Sequence, residues 1–330
     1  MTYACNLKCK MCGQWNSRLR EKRSLVKNVL SQDIWKNVVE EISRHKGTIL
    51  LLRGGETFLH LSIIDLLRFI KQKGIFVSID TNGTLLGRFA KDIVRLAIDN
   101  IVVSVDGPER IHDLVRGKNA FKMIEAGLGA LRKAEESFHI SIPKVLCFVI
   151  SPDSYRSLDK IPDVARQLKI QQIAVIPYYY FNQDIGSLYE KIMRKEFNCS
   201  ARSWRGFHRE LSGINIKEFI KSLRAFKKNL KELTHVPFMN LSEAGYKRWF
   251  TNCYQEAKKH TCRNPWLLAD IQPNGDVNFC VDFPDYVIGN VRNSSLEEIW
   301  NSKKANKFRE YLEKKPLPIC FRCGAQYMSG

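Results

Sequence analysis

The sequence predicts an α/β chain: parallel strands wrapped by helices, then a helical insert, then a small Cys-rich β-hairpin/helix unit at the C-terminal end. Three observations carry this. Short Ile/Val/Leu runs recur at 48–52, 75–79, 101–105, 144–150 and 172–176, the near-continuous apolar pattern of strands buried on both faces. Helical periodicity fills the intervals, and strands alternating with helices imply parallel pairing with right-handed crossovers. Further on, Pro273-Asn274-Gly275-Asp276 separates two short strand-like runs, 269–272 and 277–280, and Asn-Gly tolerates the positive φ of a tight hairpin. A barrel, a partial barrel and a doubly wound sheet all fit the alternation.

Each helix has its own signals. Ser31 can cap one running through Ile34, Val38, Val39 and Ile42, with Gly47 past its end. A second over 61–73 stops at Gly74, and 87–98, 121–138 and 157–168 follow. After residue 177 the rhythm breaks. Ile185, Leu188, Tyr189, Ile192 and Met193 share one helical face, as do Ile216, Phe219, Ile220, Leu223, Phe226 and Leu230, which predicts amphipathic helices with basic outer faces. A last strand is expected at 236–239 and one helix over 296–312. These boundaries give three domains: 1–177, 178–260 and 261–330.

The 330 residues carry a formal charge of +19, and 178–260 contributes 16 Lys/Arg against 8 Asp/Glu. A basic surface attracts anions: nucleic acid, acidic lipid, or a phosphorylated or carboxylated substrate. Arg18-Leu19-Arg20-Glu21-Lys22-Arg23 is a candidate attractor for such a substrate. No stretch is apolar enough to span a bilayer and no secretory signal precedes Cys5, so a cytoplasmic location is expected. The ten cysteines then read as metal ligands rather than disulfides, because seven fall in tight groups near the two ends. Cys147 reads as core packing and Cys199 as without a role.

The first group is Cys5-Asn6-Leu7-Lys8-Cys9-Lys10-Met11-Cys12. Three thiolates from one loop can hold three corners of a cubane and leave the fourth iron open to a ligand. Three strand ends carry further candidates: Arg53-Gly54-Gly55-Glu56, Asp80-Thr81-Asn82-Gly83, and Ser104 with Asp106-Gly107. In parallel β/α architectures active sites form at those carboxyl ends.

This set resembles the radical SAM superfamily, whose open iron chelates S-adenosylmethionine and whose reduced cluster cleaves it to a 5′-deoxyadenosyl radical. The resemblance implies a partial (β/α)6 TIM-like barrel, with Cys5, Cys9 and Cys12 as cluster ligands. It implies that Gly54, Gly55 and Glu56 bind the methionyl amino group. It gives Ser104 and Arg116 contacts to the cofactor, with Asn82 and Asp106 as further candidates. Thr57 stands where the family usually has Pro. The family also has a strand before the cluster loop, where this chain has only residues 1–4, so an open sheet edge is expected.

The second group is Cys262, Cys280, Cys320 and Cys323, with Cys253 as an alternative ligand. Spacing alone fits four-thiolate zinc and iron–sulfur equally. The surrounding Cys262-Arg263-Asn264-Pro265-Trp266, Cys280-Val281-Asp282, Gly289-Asn290-Val291 and Leu296-Glu297-Glu298-Ile299-Trp300 resemble the SPASM/twitch auxiliary-cluster domain. That implies one fully ligated [4Fe–4S] cluster that transfers electrons.

The resulting expectation is a radical enzyme performing a net oxidation of a small molecule or sugar, served by a one-electron reductant such as flavodoxin or ferredoxin. Asp282 is a candidate base, an ordinary hairpin aspartate being the other reading. A radical SAM peptide maturase is the first alternative. A basic, zinc-bearing nucleic-acid-binding protein is the second, and it leaves Gly54-Gly55-Glu56 at a strand end unexplained.

Overall fold

The computed structural model describes residues 1–18, 29–236, 239, 241–251 and 262–327. It divides into two compact units, one of 1–10, 30–177 and 217–237, the other of 11–29, 178–216 and 238–330. The helical segment after residue 177 is therefore shared between them. Among the described residues no helix is long and apolar enough to cross a membrane.

The first unit is built on six parallel strands in sequential order: β1 (Ile49–Leu52), β2 (Phe76–Thr81), β3 (Asn100–Ser104), β4 (Lys144–Ile150), β5 (Gln172–Pro177) and β6 (Thr234–Val236). That order is the partial barrel expected from the resemblance, and it removes the doubly wound alternative. Sequential neighbours arise because each helix returns the chain beside the strand it left.

Along the strands Val77, Ile79, Ile101, Val103, Leu146, Phe148 and Ile173 are fully withdrawn from water, while Phe76, Asp80 and Gln172 on the alternate positions are exposed. The period-2 alternation puts one set under the helices; the other set is exposed at Phe76, Asp80 and Gln172 but buried at Ser78, Val145, Cys147 and Ala174. β1 lies at the edge, with Ile49 58% and Leu51 55% exposed. Ahead of it, the Gly55 and Glu56 N–H groups donate to the Thr2 and Ala4 carbonyls (2.7 and 2.8 Å), so residues 2–4 line up beside the β1 exit.

Ser31 accepts from the Ile34 N–H and caps Gln32–Ser43, with Gly47 past its end, as expected. The segment 157–168 divides into a 3-10 turn, Tyr155–Lys160, and an α-helix, Ile161–Leu168, with Pro162 in its first turn. The sixth strand, described over Thr234–Val236, pairs with β5, with His235 edge-on to Phe226, while 237 and 238 of the expected 236–239 lie outside the described residues.

The second unit holds helices Gly13–Arg18, Gln183–Phe197, Glu243–Thr251, Asn264–Leu267, Leu296–Trp300 and Lys303–Lys314. The last two replace the single helix expected over 296–312. Ser302 accepts from the Ala305 N–H and starts a second helix where Leu296–Trp300 stops. The hairpin forms as β7 (Asp270–Ile271) and β8 (Asp276–Asn278), and β9 (Gly289–Asn290) adds a third antiparallel strand that two residues are too few to signal. Ile185, Tyr189, Met193 and Phe197 bury one helical face against Phe279, Phe283, Tyr286 and Phe308, whereas Leu188 turns outward. This shared core explains why 183–197 folds with the C-terminal unit.

Candidate functional site

Three strand exits of the first unit converge on the cluster loop. At β1, a Cβ on Gly55 would lie 2.1 Å from the Ala4 carbonyl oxygen, and one on Gly54 2.5 Å from that of Thr2. The two glycines are required first by the chain's own residues 2–4. Glu56 is fully buried. Its Oε1 accepts from the Thr81 hydroxyl (2.8 Å) and the Phe58 N–H (3.1 Å), its Oε2 from the Asn82 N–H (2.8 Å). Burial pushes its carboxyl above the usual range, and these three donors oppose that rise. The side chain thus ties the β1 exit to the β2 exit. Thr57 is also buried, and its hydroxyl donates to the Asp80 carbonyl at 2.9 Å, a bond that Pro could not make.

At β2, the Asn82 amide donates to Asn6 Oδ1 (2.8 Å) and reaches Cys5 Sγ at 3.9 Å, while its Oδ1 accepts from the Thr84 N–H and hydroxyl. Asn6 returns a bond to Thr84 Oγ1 at 2.8 Å. Leu7 N–H adds a second donor to Cys5 Sγ at 3.5 Å.

At β3, Ser104 is half-buried and in register with Cys147 of β4. Asp106 is fully buried. Its Oδ2 lies 2.6 Å from Arg116 Nε and its Oδ1 accepts from the Val149 N–H at 2.9 Å. Arg116 ends the helix Glu109–Arg116, and its Nη1 reaches Cys9 Sγ at 4.0 Å. The Asp106 N–H donates to His112 Nδ1 (3.2 Å). Burial first, then the Arg116 charge, push that imidazole down to about 4, so it is neutral. Cys147 is buried, and burial, then the neighbouring Asp80 charge, push its thiol up to about 12. Arg53 and Asp80 pair at 4.0 Å, both half-exposed.

In the second unit Cys12 precedes the helix Gly13–Arg18, and its Sγ accepts from the Trp15 N–H at 3.3 Å. Donors aimed at Cys5, Cys9 and Cys12 are what thiolate ligands require.

The four candidate auxiliary ligands, Cys262, Cys280, Cys320 and Cys323, influence one another. Burial raises Cys280 well above its ordinary value, and Cys320, Cys323 and Cys262 raise it further. Burial, Cys320, Asp282 and Cys262 do the same to Cys323. Several buried thiols that resist sharing negative charge are suited to a cationic iron–sulfur core that supplies the opposite sign. Among the described residues no group of His, Cys, Asp or Glu is gathered as a cage for a single metal ion. Asp282, two residues after Cys280, lies close enough to Cys323 for its charge to raise that thiol. Cys253 and residues 19–23 lie outside the described residues.

Sequence reasoning missed Thr81, Thr84, Asn6 and His112, which hold the candidates in place. It also missed Asp285, which accepts from Tyr189, Ser203 and the Arg202 N–H and lies near Cys280. The run Asp80-Thr81-Asn82-Gly83-Thr84 was the available signal for the first two. A lone aspartate 82 residues from Ser203 gives none.

Fold and site together define an iron–sulfur enzyme with two cluster-binding regions. The radical SAM superfamily model matches residues 1–145, and the SPASM model, an iron–sulfur cluster-binding domain, matches 262–324. The chain carries a radical SAM domain and a SPASM domain, and uses [4Fe–4S] clusters and S-adenosylmethionine. It is 30% identical to the Fe-coproporphyrin III synthase of Methanosarcina barkeri over 182 residues, 54% of this chain and 43% of that enzyme. It thus spans less than half of that relative's length. It is 22% identical to the antilisterial bacteriocin subtilosin biosynthesis protein AlbA of Bacillus subtilis over 343 aligned residues, 100% of this chain and 66% of that protein. The solved structure of native anSMEcpe with bound AdoMet shares its fold at TM-score 0.64 and 18% identity, covering 100% of this chain and 89% of that one.

Proposed function

We propose that this chain is a radical SAM maturase that abstracts a hydrogen atom from a peptide or protein substrate. The expectation of a small-molecule or sugar oxidase gives way to its alternative. The observation that carries the change is the alignment to AlbA, a bacteriocin biosynthesis protein, over the whole of this chain, both cysteine regions included.

When bound, the three-cysteine cluster and S-adenosylmethionine supply a 5′-deoxyadenosyl radical, and a one-electron reductant serves the cluster. Cys5, Cys9 and Cys12 hold that cluster, and Cys262, Cys280, Cys320 and Cys323 the auxiliary one. The Gly54-Gly55 backbone, Asn82 and Ser104 form the cofactor cradle, which Glu56 and Asp106 brace from behind. Asp282 remains the candidate to receive a proton near the auxiliary cluster.

The test is anaerobic incubation of reconstituted enzyme with reductant, S-adenosylmethionine and the short peptides encoded beside its gene. Peptide that loses hydrogen by mass spectrometry, in step with 5′-deoxyadenosine release, supports the reading. A second reading, an anionic tetrapyrrole substrate, is favoured by the 30% identity to the Fe-coproporphyrin III synthase and by the +19 charge. Turnover of an iron porphyrin carboxylate with peptide left intact would establish that reading instead.

A further inference from the structure

Two amide- or guanidinium-bearing side chains in the first unit point at ligand sulfurs, and each is immobilised by bonds of its own. Arg116 Nη1 reaches Cys9 Sγ at 4.0 Å while its Nε is held 2.6 Å from Asp106 Oδ2. The pair is withdrawn from water, with side chains 9% and 0% exposed. Asp106 is fixed in turn by the Val149 N–H. The helix that ends in Arg116 is also tied to the cluster loop, because the Lys10 N–H donates to the Val115 carbonyl at 3.0 Å. On the other side Asn82 Nδ2 reaches Cys5 Sγ at 3.9 Å, its side-chain amide is held by Asn6 and Thr84, and its backbone N–H donates to Glu56.

An iron–sulfur core gains negative charge on reduction. A cation or N–H donor fixed against a ligand sulfur stabilises the reduced state more than the oxidised one, the more so where water is excluded. We propose that Arg116 and Asn82 are positioning residues that set the reduction potential of the Cys5/Cys9/Cys12 cluster, Arg116 through Cys9 and Asn82 through Cys5. This goes beyond the cofactor contacts that the family resemblance implies for both residues. It rests on the assignment of those three cysteines as ligands.

Asp106 makes Arg116 suited to the task. Guanidinium keeps its proton under all ordinary conditions, so the charge beside Cys9 does not switch with pH. The buried carboxylate keeps the fork in one orientation, which a flexible lysine on the same helix could not do. Cys5 by contrast receives neutral donors from Asn82 and Leu7. Replacing Arg116 should therefore move the potential further than replacing Asn82.

The experiment is an EPR-monitored redox titration of anaerobically reconstituted full-length protein without S-adenosylmethionine, so that cofactor binding cannot contribute. The wild-type signal first tests the ligand assignment: absence of a three-cysteine cluster overturns that reading and the tuning with it, whereas an unmoved potential in a cluster-bearing variant overturns the tuning alone. Arg116→Met is expected to lower the midpoint potential of this cluster, Arg116→Lys to fall between, and Asn82→Leu to lower it by less. The auxiliary cluster of the same molecules, unchanged, is the internal reference. A wild-type potential in Arg116→Met overturns the proposal. Should that variant not retain its cluster, wild-type potentials in both Arg116→Lys and Asn82→Leu overturn it equally.

Discussion

The Thr81 hydroxyl stands 2.8 Å from Glu56 Oε1, and neither residue meets solvent. The bond joins the exits of β1 and β2 from behind the cluster loop. Glu56→Ala strands three donors: the Thr81 hydroxyl and the Phe58 and Asn82 N–H groups. Loss of stability of about 3 kcal/mol is expected, because buried donors without an acceptor bear their full desolvation cost. Affinity for S-adenosylmethionine, measured by equilibrium binding to reconstituted protein, should fall about tenfold or more as the loops separate, a drop worth about 1.4 kcal/mol.

Thr57 offers a gentler probe of the same corner. It starts the 3-10 turn Thr57–Leu59, a position that Pro's fixed φ suits. Thr57→Pro restores the residue usual in the family but removes the hydroxyl bond to the Asp80 carbonyl. The variant should fold and bind cofactor yet unfold about 1 kcal/mol more easily, read from its thermal midpoint.

Single replacements separate the two cysteine sets. Cys5→Ala, Cys9→Ala or Cys12→Ala should each remove about four of about eight irons and abolish 5′-deoxyadenosine release. Cys280→Ala or Cys323→Ala should remove a similar share but leave cofactor binding intact. Cys147→Ala and Cys199→Ala should keep full iron. Retention of full iron in Cys262→Ala would move the fourth auxiliary ligand to another cysteine, Cys253 being the candidate.

His112 gives stability a pH dependence. Its folded value of about 4 lies below the ordinary 6.5, chiefly through burial. The folded chain therefore binds fewer protons than the unfolded chain between those limits. The contribution is complete above pH 6.5 and is lost as pH falls toward 4, about 3 kcal/mol across the window. The thermal midpoint of wild type should drop from pH 7 to pH 5 by more than that of His112→Phe. Equal slopes would place the pH sensitivity elsewhere.

Much of this was legible in the residues. The Ile/Val/Leu runs located five of six strands in the first unit, since strands buried beneath helices must be apolar almost throughout. Cys5, Cys9 and Cys12 stood out as candidate ligands because chelation from one loop needs close spacing. The hairpin at Asn274-Gly275 was legible because few dipeptides accept its backbone. The strand β9 was not, because pairing of two residues depends on β8 already being in place.

What the sequence determined by itself is therefore the local chemistry: which thiols, which turns, which strand ends. Tertiary structure alone decided what each polar side chain does there. Glu56 and Asp106 stand at strand ends in the sequence; in the fold both are withdrawn from water, Glu56 accepting from the Asn82 N–H and Asp106 paired with Arg116. Arg116 reaches Cys9, 107 positions away in the chain. Such partnerships are made across strands by burial, which leaves a carboxylate or guanidinium no water to fall back on and so obliges it to find a distant partner. No spacing rule encodes that choice.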